Sequence, residues 1–160
     1  MQARMERPST SEIEKSPRER VLLLARRIGE HAVADWCAEV LAGTVAYDDP
    51  RHPPIEWLGG RHAAVRLGGR GFEAGNQDYW PRVWAVRGLM YVWHAGAGRA
   101  VIGGLADPAW RVREMSAKVV RRRGIAHAES RLSAMLDDPL ARVRAAAEAA
   151  LSRESARSPG

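Results

Sequence analysis

The sequence predicts an all-α chain built from stacked helical hairpins, and three observations carry that prediction. First, DPAWRVREMSAKVV from Asp107 and DPLARVRAAAEAAL from Asp138 share Asp-Pro and Arg-Val-Arg at the same offsets, a shift of 31 residues. A unit repeated at about 30 residues without strand signals indicates helix pairs that bury their faces only against neighbours. Second, apolar residues recur at helical spacing through most of the chain. Third, no segment alternates apolar and polar residues between turn signals, so no strand is expected.

The elements follow in order. Residues 1–16 are polar and aperiodic, and read as a flexible leader. From Pro17, Val21, Leu24, Ala25 and Ile28 form one stripe that Gly29 stops. A second helix over 30–43 carries Val33, Trp36, Cys37, Val40 and Leu41, with Gly43 as its cap. The turn-rich YDDPRHPP breaks the chain at 47–54. Residues 55–67 form a further helix weakened by Gly59 and Gly60, and the glycine-rich 68–78 form a loop. A degenerate third copy, DYWPRVWAVRGLMY, starts at Asp78. Read with a shift of 29, it sets Asp78, Arg82 and Val83 against Asp107, Arg111 and Val112. Asp107 and Asp138 are expected as helix caps, with Pro108 and Pro139 in the first turn. Val112, Met115 and Val119 then share one face, as do Val143, Ala146 and Ala150, and Val83, Val86 and Met90. A single helical domain is expected over 17–152, with clear repeats in 79–152 and a frayed tail at 153–160.

The chain has 160 residues and a formal net charge of +6. Its 46% apolar and 28% charged content describes a globular protein. No uncharged run approaches a membrane span, and the N-terminus lacks the apolar core of a secretory signal, so no membrane partner is expected. One cysteine, Cys37, allows no internal disulfide and suits a reducing cytoplasm. Residues 99–160 hold twelve basic against seven acidic side chains, so the positive excess sits in the last third. It is nearly all arginine, which suits phosphate contacts, ion pairs and ring stacking, and which a GC-rich genome also favours.

LADPAWRVREMSAKVV and LDDPLARVRAAAEAAL resemble the HEAT repeat, in particular the short HEAT-like repeats also found in phycobilisome lyases. The resemblance covers residues 79–152, with clear copies from 105 onward. It implies an α-α superhelix, a right-handed solenoid whose Asp-Pro helices line the concave face. It also implies a structural ladder between repeats made by Asp107, Arg113, Asp138 and Arg144. The degenerate copy has Trp84 where the ladder arginine would stand, so an interruption is expected there.

Six of the ten aromatic residues lie between Tyr79 and Trp110. Trp80, Trp84, Arg87 and Tyr91 share one side of a helix, and with Trp110 and Arg111 they are the candidate partner-binding residues of the concave face. Tryptophan and arginine anchor protein partners and also stack on unpaired bases; alternatively, the tryptophans fill the junction between the N-terminal helices and the repeats. Lys118, Arg121, Arg122 and Arg142 are possible phosphate contacts, although the Arg121–Arg123 run also suits its own helix C-terminus. None of the five histidines is followed by Glu and no HExxH occurs, so the His-Glu pairs of HEAT-type deoxyhypusine hydroxylases are absent. No metal, catalytic residue or cofactor is expected, and Cys37 reads as a packed thiol. The expected function is a HEAT-repeat scaffold or protein-interaction module without catalysis, in a monomer or homodimer. The alternatives are nucleic-acid binding, from a loose similarity to HEAT-like alkylpurine DNA glycosylases, and a bilin-lyase-like role suggested by repeat subtype alone.

Overall fold

The computed structural model describes residues 5–68 and 78–157. These residues are helical, with no strand among them. The glycine-rich segment read as a loop lies outside the described residues over 69–77.

Local sequence sets the helix ends. The first two helices, α1 (Thr10–Ile13) and α2 (Pro17–Ile28), each open on a capping box. In these, Ser9 pairs with Glu12 and Ser16 with Glu19, so each serine oxygen satisfies an orphan N–H while the glutamate returns the bond. Helix α3 (Glu30–Ala42) ends at Gly43 in the left-handed region, φ 76°. Helix α4 (Glu56–Gly68) is broken at Gly60, φ 61° and ψ −145°. After the undescribed segment come α5 (Trp80–Gly88), α6 (Gly98–Gly104), α7 (Trp110–Arg123), α8 (Glu129–Ala134) and α9 (Ala141–Arg157).

Helix α3 packs on α5, α5 on α7 and α7 on α9, while α2 lies against α3 and α4, α6 against α3 and α7, and α8 against α9. One continuous core runs from Val21 to Ala150. The expected stripes feed it: Val112, Val119, Val143 and Val86 are fully buried, with Ala146, Ala150 and Val83 nearly so. Cys37 is buried beside Gly88, where an added Cβ would stand 2.9 Å from its sulfur, and burial pushes its thiol up to about 12.

Several expectations are corrected. The N-terminal segment is docked from residue 5 onward, not flexible through 16. The Trp57 indole N–H donates to the Glu6 carbonyl at 3.0 Å, Pro8 is buried and Met5 packs on the core. The tail expected to fray from 153 continues α9 as far as Arg157. Asp107 and Asp138 are not the capping residues: the N-cap of α7 is Ala109, two positions later, and α9 begins only at Ala141. Instead each carboxylate accepts the N–H two residues on, from Ala109 at 2.8 Å and Leu140 at 3.0 Å. That is the Asx turn an Asp-Pro dipeptide favours ahead of a helix.

The register of the degenerate copy is also corrected. Arg82 pairs with Asp107 at 2.8 and 3.1 Å, and Arg113 pairs with Asp138 at 2.8 and 3.3 Å, with the same 25-residue separation. Arg82 therefore corresponds to Arg113, a shift of 31 and not 29. Burial agrees, because Pro81, Val86 and Leu89 match Val112, Ala117 and Val120 in that alignment. Trp84 interrupts nothing, since the arginine stands two positions earlier. Arg144 donates to the Asp138 carbonyl at 2.6 Å, as Arg113 does to the Asp107 carbonyl at 2.9 Å.

The break in α4 explains one buried arginine, Arg20, and one half-buried, Arg87. Gly60 adopts a conformation that glycine alone takes without strain, and the interrupted helix leaves the Leu58 carbonyl open. Arg20 and Arg87 both donate to that oxygen, at 3.2 and 2.9 Å. Burial, and for Arg20 the neighbouring Arg87 charge, lowers both guanidinium groups from their ordinary value. An added Cβ would meet the Trp84 ring at 2.6 Å from Gly59 and the Arg20 guanidinium at 2.6 Å from Gly60. The Gly-Gly pair thus admits one ring and one cation into the kink.

Candidate interaction surface

Helices α5, α7 and α9 bring their first turns together, and their opening residues make the site. Tyr79 and Trp80 open α5, Trp110 and Arg111 open α7, and Arg142 opens α9. The Arg111 guanidinium lies 4.4 Å from the Trp110 ring centroid, 5.2 Å from Trp80 and 5.9 Å from Tyr79. It also donates to the Tyr79 hydroxyl at 3.2 Å. Arg142 lies 5.2 Å from the same Trp110 ring. Aromatic faces attract such cations at about 0.5–1 kcal/mol each where water has access. The rings orient the guanidinium groups without neutralising them.

Carboxylates are scarce here. Glu114, largely buried, takes Lys118 at 3.0 Å and Arg142 at 3.4 Å, so one acid serves two cations. Among the described residues, no carboxylate makes an ion pair with Arg111. A cleft of about 440 Å³ opens beside it, walled by Tyr79, Arg82, Pro108 and Trp110, with Asp78 at its exposed edge. Arg82 is already tied to Asp107.

Of the candidate partner-binding residues, the structure brings Trp80, Trp110 and Arg111 together on this face. It withdraws Trp84, which is 2% exposed and lies 6.2 Å from the Trp80 ring within the core. It withdraws Arg87 as well, through its bond to the Leu58 carbonyl. Their helical phase puts both toward α4, which the sequence alone did not locate. Tyr91 is half-buried against the core near the far end of α5.

Of the possible phosphate contacts, Arg142 and Lys118 join the Glu114 cluster, and Arg121 is exposed. Arg122 donates to the Met90 carbonyl at 2.9 Å, as its neighbour Arg123 does to Leu89 at 3.0 Å. Those two arginines cap the end of α5, not of their own helix. Tyr79 escaped the sequence reading, although its place one residue before Trp80 marked it.

Two larger clefts lie elsewhere. One of about 660 Å³ is lined by Trp36, Asp35, Glu39 and residues 50–53, but its Arg51 is held by Asp49 at 2.7 and 3.0 Å. The other, about 560 Å³, is walled largely by small residues of α3 and α6. No described helix is long and apolar enough to cross a membrane. No family model, curated protein or solved structure matches the chain.

Proposed function

We propose that this chain is a HEAT-like solenoid that performs no chemistry and captures a protein partner on the face formed by Trp80, Trp110, Arg111 and Arg142. The observation that carries the reading is Arg111, a half-buried cation set among three aromatic rings and beside an open cleft, with no carboxylate paired to it among the described residues. Interfaces concentrate their energy in tryptophan, tyrosine and arginine of this kind. Supporting the solenoid reading is the 31-residue register shared by the Arg82–Asp107 and Arg113–Asp138 pairs. Repetition of one bond between successive units is what stacked hairpins require.

The test is affinity capture from host lysate, nuclease-treated and untreated, with wild type and the Trp110→Ala/Arg111→Ala variant. Proteins retained by wild type after nuclease should be lost from the variant. An unchanged set of captured proteins would overturn the assignment. Capture that vanishes with nuclease would move the function to nucleic acid.

A further inference from the structure

We propose that this face binds an extended acidic segment of its protein partner, one carboxylate on Arg111 and a second on Arg142, the two guanidinium groups gathered on the Trp110 ring. The proposal rests on the interaction-surface reading and adds the chemistry of the partner.

Charge supplies the first reason. Arg111 meets rings and a hydroxyl, and Glu114 is divided between Arg142 and Lys118. Two positive charges are therefore left over on adjacent helices. A carboxylate arriving at a guanidinium forms paired, charge-assisted hydrogen bonds, stronger than those between neutral groups. The rings hold the Arg111 fork in place, so little rotamer freedom is lost on binding.

Spacing supplies the second. Both guanidinium groups lie near one ring, 4.4 and 5.2 Å from the Trp110 centroid. Their separation therefore stays below about 10 Å, comparable to the spacing of packed helices. An extended chain advances about 3.3 Å per residue and turns alternate side chains to one face, so carboxylates two positions apart, about 7 Å, fit within that distance. The side chain between them points away from the surface, so recognition rests on the two acids.

The same geometry disfavours a polynucleotide. Trp110 already has two guanidinium groups within cation–π range, and a stacking base would have to displace one.

The experiment is a fluorescence-anisotropy titration of the full chain with the N-terminally fluorescein-labelled peptide Glu-Ser-Glu-Ser-Glu-amide. Controls are the same peptide with every Glu replaced by Gln, and an oligothymidylate of equal net charge. The glutamate peptide should bind at least about tenfold more tightly than either control, and Arg111→Gln and Arg142→Gln should each cost about tenfold. Arg99→Gln, exposed on α6, should change nothing. The Arg142 side chain is 69% exposed, so Arg142→Gln keeps the fold and carries the test even if Arg111→Gln does not. Equal binding of the two peptides, tighter binding of oligothymidylate, no measurable peptide binding, or indifference to Arg142→Gln would each overturn the acidic-segment proposal. If the lysate partners still depend on Trp110 and Arg111 in that event, the surface stands and only its ligand chemistry is wrong.

Discussion

Replacing Arg113 with methionine tests whether the arginine–aspartate pairs hold the helices together. Arg113 gives two bonds to Asp138, one to the Asp107 carbonyl at 2.9 Å and one to the Pro108 carbonyl at 3.0 Å. The Arg113 and Asp138 side chains are 18% and 7% exposed. Methionine retains the apolar stem and leaves a carboxylate that few waters reach. Breaking a fully buried pair costs about 3–5 kcal/mol, and partial exposure with the surviving Leu140 N–H bond lowers that to about 2–3 kcal/mol. For a chain of this size the melting temperature should fall by about 5–10 °C.

The pH dependence gives this prediction its sign. Burial, the largest single influence, pushes the Asp138 carboxyl up, but the bonds from Arg113 and from the Leu140 N–H together hold it below the ordinary value. A lowered folded-state value means stability present above the unfolded value of about 3.9 and lost as pH falls through the folded one. Without Arg113, burial acts against weaker opposition and the carboxyl moves upward. The variant's deficit should therefore be largest near neutrality and shrink toward about 1 kcal/mol near pH 3.5, where the orphaned acid is protonated. Urea melts of wild type, Arg113→Met and Arg113→Met/Asp138→Asn at both pH values provide the measurement. The added Asn should restore much of the loss at neutral pH. A deficit that is equal at the two pH values, or untouched by Asp138→Asn, would refute the orphaned-carboxylate reasoning.

Three further outcomes are expected. Ser116→Ala should leave stability unchanged or raise it by up to about 1 kcal/mol, because Ser116 is fully buried and its hydroxyl finds no partner; a melt lower by more than that amount would contradict it. Gly104→Ala should cost about 1–3 kcal/mol, since the new Cβ would stand 2.2 Å from Ser116 Oγ, and combining it with Ser116→Ala should recover part of the loss in the same denaturation assay. Cys37 should resist a thiol reagent in the native state at pH 8 and react after denaturation; prompt native reaction would show the α3–α5 contact to open readily.

The helices and core stripes were legible because their signal is local and periodic. Val112, Val119, Val143 and Ala150 could be placed inside from spacing alone. The docked N-terminus was legible in principle too, because Ser9–Glu12 and Ser16–Glu19 spell two capping boxes; polarity outweighed them in the sequence reading. The register of the degenerate copy was not legible, because Asp78 and Val83 offer a better letter match at 29 than the structure uses at 31. What separates the two alignments is tertiary, the bond from Arg82 to Asp107 and the burial of Pro81, Val86 and Leu89. The face of α5 that meets α4 was equally hidden. Trp84 and Arg87 share a helical side with Trp80, and what removes them from the surface is the kink at Gly60, a tertiary event with no periodic trace.

The charge of this chain illustrates how a composition can mislead about partners. Seven arginines, Arg20, Arg87, Arg113, Arg122, Arg123, Arg131 and Arg144, donate to backbone carbonyls, most of them at helix ends or turns. A short helix leaves four carbonyls unpaired at its C-terminus, and a fold of short helices has many such ends in its interior. Arginine reaches them with a long stem and a multiply donating head that stays charged even when partly dehydrated. Much of the positive charge is therefore committed to joining helices. The arginines that remain available are the ones to ask about, and Arg111 and Arg142 stand apart by sharing one ring, Trp110, whereas Arg27 lies over Trp57 and Arg123 over Trp93. A surface selected for polyanions would spread its free cations along a track. Here two of them converge on one tryptophan, a layout suited to a ligand with two closely spaced negative groups.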